Sequence, residues 1–147
     1  MKYEFKKLNK ETIDKLIQLS NKWYCENCSY GMVVNTADDI SEPLLVAIDK
    51  DEIVGYIFGH YYVNENKTSY IDIGSYCFML DELYVLPEYR GQGIGRELFK
   101  RLESEINNSC AYITLNTSTK DYKKILHFYV DELDMDFYSA FLIKPMN

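Results

Sequence analysis

The chain has little of what would remove it from the ordinary globular proteins. Three prolines and seven glycines in 147 residues exclude a collagen-like or low-complexity chain, which needs those residues in excess. No run approaches the roughly 20 apolar residues that cross a bilayer as a helix, so no membrane partner is expected. The opening Met1-Lys2-Tyr3-Glu4-Phe5-Lys6-Lys7 lacks the apolar centre of a secretory signal, and the expected location is cytoplasmic. Positive charge is scarce too, with 16 Lys and Arg against 23 Asp and Glu for a net charge of −7. Nucleic-acid backbones are bound by clustered cations, so no nucleic-acid partner is expected. A field of this sign concentrates cationic solutes instead.

Thiols and imidazoles are also few. Four cysteines without a secretory signal read as reduced thiols rather than disulfides. Cys25-Glu26-Asn27-Cys28 has the spacing of a redox pair or half a zinc site, but a zinc site needs four ligands. His60, Cys77, Cys110 and His127 form no second pair, so no metal is expected. Tyrosine is what the chain has in excess, with fourteen, enough for a pocket or surface of flat, amphipathic side chains.

At this length one domain covering residues 1–147 is expected, large enough to bury a core without staples. Alternation predicts strands over Tyr3 to Leu8, Pro43 to Ile48, Ile53 to Phe58, a long stretch ending at Leu86, Ala111 to Leu115, and Phe137 to Ile143. Asn9 is placed to cap a helix with Ile13, Leu16 and Ile17 on one face. The segment from Lys22 to Asp39 is irregular, with room for a short second helix. The clearest helix carries Ile94, Leu98, Leu102 and Ile106 along one stripe. Ser118, followed three residues later by Asp121, resembles a capping box that opens a helix to about Val130. The order β-α-β-β-β-α-β-α-β indicates an α/β or α+β fold with a mixed sheet covered by helices.

The segment Arg90-Gly91-Gln92-Gly93-Ile94-Gly95 lies between the strand that Pro87 ends and that clear helix. The first turn of a helix has unpaired N–H groups and the positive end of the helix dipole. Glycines remove the Cβ atoms that keep a bulky anion from the backbone, and Arg90 and Arg96 flank the loop with charge. Such a loop suits a phosphate or pyrophosphate. Its G-x-G-x-G spacing is neither the dinucleotide fingerprint nor a P-loop.

With the preceding Leu83-Tyr84-Val85-Leu86-Pro87-Glu88-Tyr89, this segment closely resembles the pyrophosphate-binding motif of the GNAT superfamily of N-acetyltransferases. That motif is an apolar strand, a proline, then Arg/Gln-x-x-Gly-x-Gly/Ala at a helix start, and Arg90, Gly93 and Gly95 hold its defining places. The element order matches over essentially the whole chain, and His127-Phe128-Tyr129 falls where the family usually has an aromatic–Tyr pair. Two departures concern the last helix. Tyr122 stands where the family often has Asn, and Asp136-Phe137 where it often has Gly-Phe.

The resemblance implies a mixed, mostly antiparallel twisted sheet of six to seven strands with about four helices. It implies an enzyme that moves an acetyl group from acetyl-CoA to a primary amine. The loop from Gly91 through Gln92, Gly93, Ile94 and Gly95 to Arg96 would hold the pyrophosphate, with Arg90 in support. The strand would splay near Leu83, Tyr84 and Val85, so that the Val85 N–H meets the acetyl carbonyl. Asn116 would bond the pantetheine amides. An alkyl ammonium of pKa near ~10.4 leaves only about one molecule in a thousand as free amine at neutral pH, so a base is expected. Asp81 is preferred, because aminoglycoside acetyltransferases often carry a carboxylate there, and Glu82 is the alternative. As strand neighbours they should face opposite sides. Tyr129 is the candidate acid for the leaving thiolate.

The acidic balance favours a small cationic acceptor, such as an aminoglycoside, a polyamine or an amino-acid derivative, over a protein lysine or N-terminus. A non-catalytic acetyl-CoA sensor would be expected to lack the carboxylates and the tyrosine. The strand at Phe137 to Ile143 could pair between copies, giving a homodimer.

Overall fold

A computed structural model describes all 147 residues. Five strands form one sheet in chain order: β1 (Lys2–Lys6), β2 (Leu44–Asp49), β3 (Glu52–Val63), β4 (Tyr76–Val85) and β5 (Tyr112–Thr114). The first four pair antiparallel and β5 joins β4 in parallel. Between β1 and β2 lies helix α1 (Lys10–Glu26), and the parallel crossover from β4 to β5 carries α2 (Ile94–Ile106). A short helix α3 (Tyr122–Leu126) runs into a π turn over His127–Glu132.

The helix ends follow from local chemistry. The Asn9 side chain accepts from the Thr12 N–H at 2.9 Å, meeting one of the orphan donors of α1. Asn27, left-handed at φ 52°, ends that helix. On α2 the residues Ile94, Leu98, Phe99, Leu102 and Ile106 are all buried, as one apolar stripe requires.

The helices cover opposite faces of the sheet. Tyr84 stacks on Trp23 of α1 at 5.1 Å, while Val85 faces α2, its Cγ2 about 4.0 Å from where a Cβ on Gly95 would lie. Adjacent strand residues point to opposite faces. With both faces covered, Leu44 to Ala47 of β2 and Val54 to Phe58 of β3 are buried without alternation, as expected for interior strands.

One irregularity positions the site. Phe58 pairs with Glu82 and Gly59 with Leu80, leaving Asp81 as an extra residue in β4. This is a β-bulge, which re-aims side chains locally. It forces the strands so close that a Cβ on Gly59 would overlap the Met79 carbonyl oxygen and come within 2.7 Å of Phe78.

The sheet is smaller than the six to seven strands expected, and three α-helices stand where about four were. Phe137 to Ile143 is not a strand. After Asp134, left-handed at φ 57°, the chain runs irregular and exposed, with Phe141 92% accessible. Alternation supplies propensity, but a strand also needs a ladder partner, and this segment pairs with no strand of the chain. No second helix follows α1; residues 37–39 make a single 3₁₀ turn. The last helix is capped by Asp121, which accepts from the Lys124 N–H, and not by Ser118, whose carbonyl accepts from the Tyr30 N–H. No helix is long and apolar enough to cross a membrane.

Gly59→Ala should destabilise the protein by about 1–3 kcal/mol through overpacking at the bulge. Urea denaturation measures this, and an unchanged midpoint would mean that the bulge opens at no cost.

Candidate functional site

The pairing of β4 with β5 is confined to Cys77–Met79 against Tyr112–Thr114. Beyond Met79 the two strands part around a cleft of about 320 Å³ lined by β4 from Leu80 to Val85, by Leu115 to Thr117, and by Arg90, Lys124 and Tyr129. Leu86 donates its N–H to the Val54 carbonyl at 2.9 Å. Hydrogen-bonded and non-bonded pairs alternate along an antiparallel ladder. Val85, opposite Gly55, therefore turns its N–H and C=O away from β3 and towards the parted edge, and so does Leu83.

The glycine loop follows a 3₁₀ turn at Pro87–Tyr89. Gly91 and Gly93 are left-handed at φ 74° and 81°, and a Cβ at either would meet no protein atom within 4 Å. They are thus required by backbone conformation and leave open space above the loop. Gly93 is the N-cap of α2 and its carbonyl takes the Glu97 N–H at 3.0 Å. The N–H groups of Ile94, Gly95 and Arg96 therefore have no helical acceptor. Gln92 folds its amide back to the Glu88 carbonyl, and the Arg96 side chain is exposed with no carboxylate partner. Unpaired N–H groups, a helix N-terminus and a free guanidinium together fit a pyrophosphate.

Arg90 is otherwise engaged. Its Nη1 and Nη2 donate to the Glu26 carboxylate at 2.7 and 3.0 Å, and its Nε donates to the Val85 carbonyl at 2.8 Å.

A second, larger cavity of about 680 Å³ opens beside the cleft. The two share Trp23, Ser29, Asp81, Glu82, Asn116 and Thr117. Both carboxylates of the Asp81-Glu82 pair border it, contrary to the alternation expected of a regular strand, because the bulge re-aims Asp81. His60 meets Asp81 Oδ2 at 2.7 Å. Glu82 Oε2 accepts from Tyr56 Oη at 2.8 Å and Asn35 Nδ2 at 2.9 Å. Burial raises the Glu82 carboxyl pKa above its ordinary value, and the two donors only partly offset this. Asp38 and Asp39 also line the cavity, and no Lys or Arg does.

Tyr129 sits in the π turn, edge-on to Phe128 at 5.0 Å and Phe99 at 6.3 Å. Burial pushes its phenol pKa up, and its hydroxyl makes no hydrogen bond within the protein. Asn116 is exposed at the mouth of both cavities with its amide free. All the expected site residues lie on the cleft or on the loop. Trp23 lines both cavities, while Tyr24 and Tyr30 face solvent. Glu26, Tyr56 and Asn35 are neighbours of the site that the sequence does not point to, whereas His60 lies on strand surface beside the larger cavity, where the Gly59-His60-Tyr61-Tyr62 run is expected. No spacing ties Asn35 or Tyr56 to Glu82, and in Cys25-Glu26-Asn27-Cys28 the paired thiols are a stronger sequence signal than the glutamate between them.

The sequence pattern of the acetyltransferase (GNAT) family matches residues 11–134. No curated protein sequence is similar enough to the chain to count as a match. Solved structures share its fold at low identity. The aminoglycoside N-acetyltransferase AAC(6')-Iy, solved in complex with CoA, is 14% identical over 98% of this chain and 99% of its own, with a TM-score of 0.65. A ribosomal-protein-alanine N-acetyltransferase from Brucella melitensis is 15% identical over 98% and 99%, with a TM-score of 0.67. An acetyltransferase from Trypanosoma brucei is 17% identical over 99% and 100%, with a TM-score of 0.66. Since the matched pattern spans most of the chain and carries the strand, the loop and the helix just described, the chain belongs to the GNAT family of acyl-CoA-dependent N-acetyltransferases.

Proposed function

We propose that residues 1–147 form one acetyltransferase domain that moves the acetyl group of acetyl-CoA to a primary amine on a small cationic acceptor, such as an aminoglycoside, a polyamine or an amino-acid derivative. The observation that carries this reading is the lining of the larger cavity: Asp38, Asp39, Asp81 and Glu82, with no Lys or Arg among them and His60 the one imidazole, set against Asp81. Four carboxylates around one recess draw in an ammonium and hold it by charge. AAC(6')-Iy, an aminoglycoside acetyltransferase, shares the fold across its whole length.

In this reading the N–H groups from Gly91 to Arg96 and the Arg96 side chain hold the pyrophosphate, and the Asn116 amide bonds the pantetheine arm. The Val85 N–H, turned from the ladder into the cleft, donates to the acyl oxygen as it gains charge. Glu82 takes the proton of the ammonium. Its Oε2 is filled by Tyr56 and Asn35, its Oε1 is free, and burial brings its pKa nearer neutrality, where a general base works best. Asp81, paired with His60, supplies a second negative charge to orient the cation. Tyr129 remains protonated because burial raises its pKa, so it donates a hydrogen bond to the departing sulfur.

Thiol release from acetyl-CoA across aminoglycosides, polyamines and lysine peptides tests the reading. Small polycations should give the highest kcat/KM, and a preference for lysine peptides would transfer the activity to protein acceptors. CoA binding without turnover on any amine would favour a sensor. Gly93→Asp, which sets a carboxylate against the pyrophosphate at a left-handed position, should raise the KM for acetyl-CoA about a hundredfold, since like-charge contacts cost several kcal/mol.

The pH dependence follows from the sign of the Glu82 shift. Because its pKa is raised from 4.5, the carboxyl is protonated and idle as a base below that raised value. The wild-type kcat/KM should therefore fall with pH through it. Glu82→Gln should lose about a hundredfold in kcat/KM and the acid limb with it, and persistence of that limb would assign the base elsewhere. Tyr129→Phe should lower kcat about tenfold with little change in the KM for acetyl-CoA, and an unchanged kcat would leave the tyrosine to packing alone.

A further inference from the structure

The last turn of α1 reaches across to the start of the glycine loop with one carboxylate. We propose that Glu26 is a positioning residue of acyl transfer, acting through Arg90 and Tyr84 to set both the loop and the donor edge of β4. The inference rests on the donor site described above and adds to it a residue outside the family's loop motif.

Glu26 accepts three hydrogen bonds from this edge: Arg90 Nη1 at 2.7 Å, Arg90 Nη2 at 3.0 Å and Tyr84 Oη at 2.7 Å. The two from Arg90 are the fork-on-carboxylate geometry that fixes a guanidinium plane as well as its position. That plane presents Nε to the Val85 carbonyl at 2.8 Å and lies 5.4 Å from the centre of the Tyr84 ring. Tyr84 in turn stacks on Trp23, one helical turn before Glu26.

Consider the peptide between Tyr84 and Val85. On one side the Tyr84 ring is held by Trp23 and Glu26, and on the other the Val85 carbonyl is held by Arg90. The N–H between them is the one that faces the cleft, and it is left with a single direction. A donor aimed at developing charge loses most of its effect when displaced by about 1 Å. The same bonds anchor Arg90, the residue from which the glycine loop departs. An exposed ion pair contributes little to stability, so the consequence of this one falls on geometry. It also commits the Arg90 charge to Glu26, leaving the pyrophosphate to the loop N–H groups and Arg96.

The full-length protein and the variants Glu26→Gln, Arg90→Gln and the double substitution are titrated with CoA by calorimetry, which needs no acceptor. Thermal melts are recorded alongside. Glu26→Gln should weaken CoA about tenfold with the melting temperature within a few degrees of wild type, a coupling ordinary for contacting residues. Because Glu26 acts on the loop through Arg90, and glutamine at 26 keeps an acceptor for the Tyr84 hydroxyl, the double variant should bind no more weakly than Arg90→Gln alone. Unchanged CoA affinity in Glu26→Gln, or losses that multiply in the double variant, would overturn the proposal. If Glu26→Gln melts below the assay temperature, Tyr84→Phe removes one bond to the same carboxylate and should weaken CoA about threefold; no change there would overturn it equally. Failure of the unmutated chain to bind CoA would be seen in the first titration, and would overturn the donor-site reading together with this one.

Discussion

The site depends on where a sheet stops being a sheet. β4 and β5 share a ladder only over Cys77–Met79 and Tyr112–Thr114, after which the crossover through the glycine loop and α2 has already separated the strands. An open edge normally invites another strand. Here the edge is held in an extended, hydrogen-bond-ready form by its other neighbour, β3, and lined on its free side by Leu115 to Thr117 and Tyr129. The backbone groups left unpaired there stay fixed in place, because antiparallel pairing on the far side continues undisturbed from Tyr84 to Leu86.

The β4 bulge works against that regularity a few residues earlier. In a flat ladder Asp81 and Glu82 would sit on opposite faces, and only one could meet an acceptor. With one residue left out of register both border the same recess, each with a different partner: His60 for Asp81, Tyr56 and Asn35 for Glu82. Two chemically equivalent carboxylates are thereby made unequal. One is sheltered with a raised pKa, and the other is exposed against an imidazole. Gly59 permits this, since its missing side chain makes room for the Met79 carbonyl.

Much of this was legible in the residues. The β-α-β-β-β-α-β-α order, the Asn9 cap, the α2 stripe and the role of Pro87 are local matters, set by periodicity and capping. The glycine loop was legible because its spacing carries its own geometry. What escaped depends on tertiary pairing. Phe137 to Ile143 alternates well enough for a strand, but no partner edge receives it. The bulge has no composition of its own apart from Gly59, so the alternation rule failed at Asp81 and Glu82. Glu26 lies between two cysteines whose spacing masks it, while its partner Arg90 is 64 positions away.

Trp23 borders both cavities, and the carboxylates beyond it stand in a recess open to solvent rather than in a sealed one. Mobile ions therefore reach the charges that would hold a cationic guest. The Debye length is about 8 Å at physiological ionic strength, comparable with the dimensions of such a recess. The attraction is thus felt at the mouth and fades within a few water layers. On the proposed reading, selection among amines would fall to those small enough to carry their charge inside, and added salt would penalise multiply charged guests more than singly charged ones.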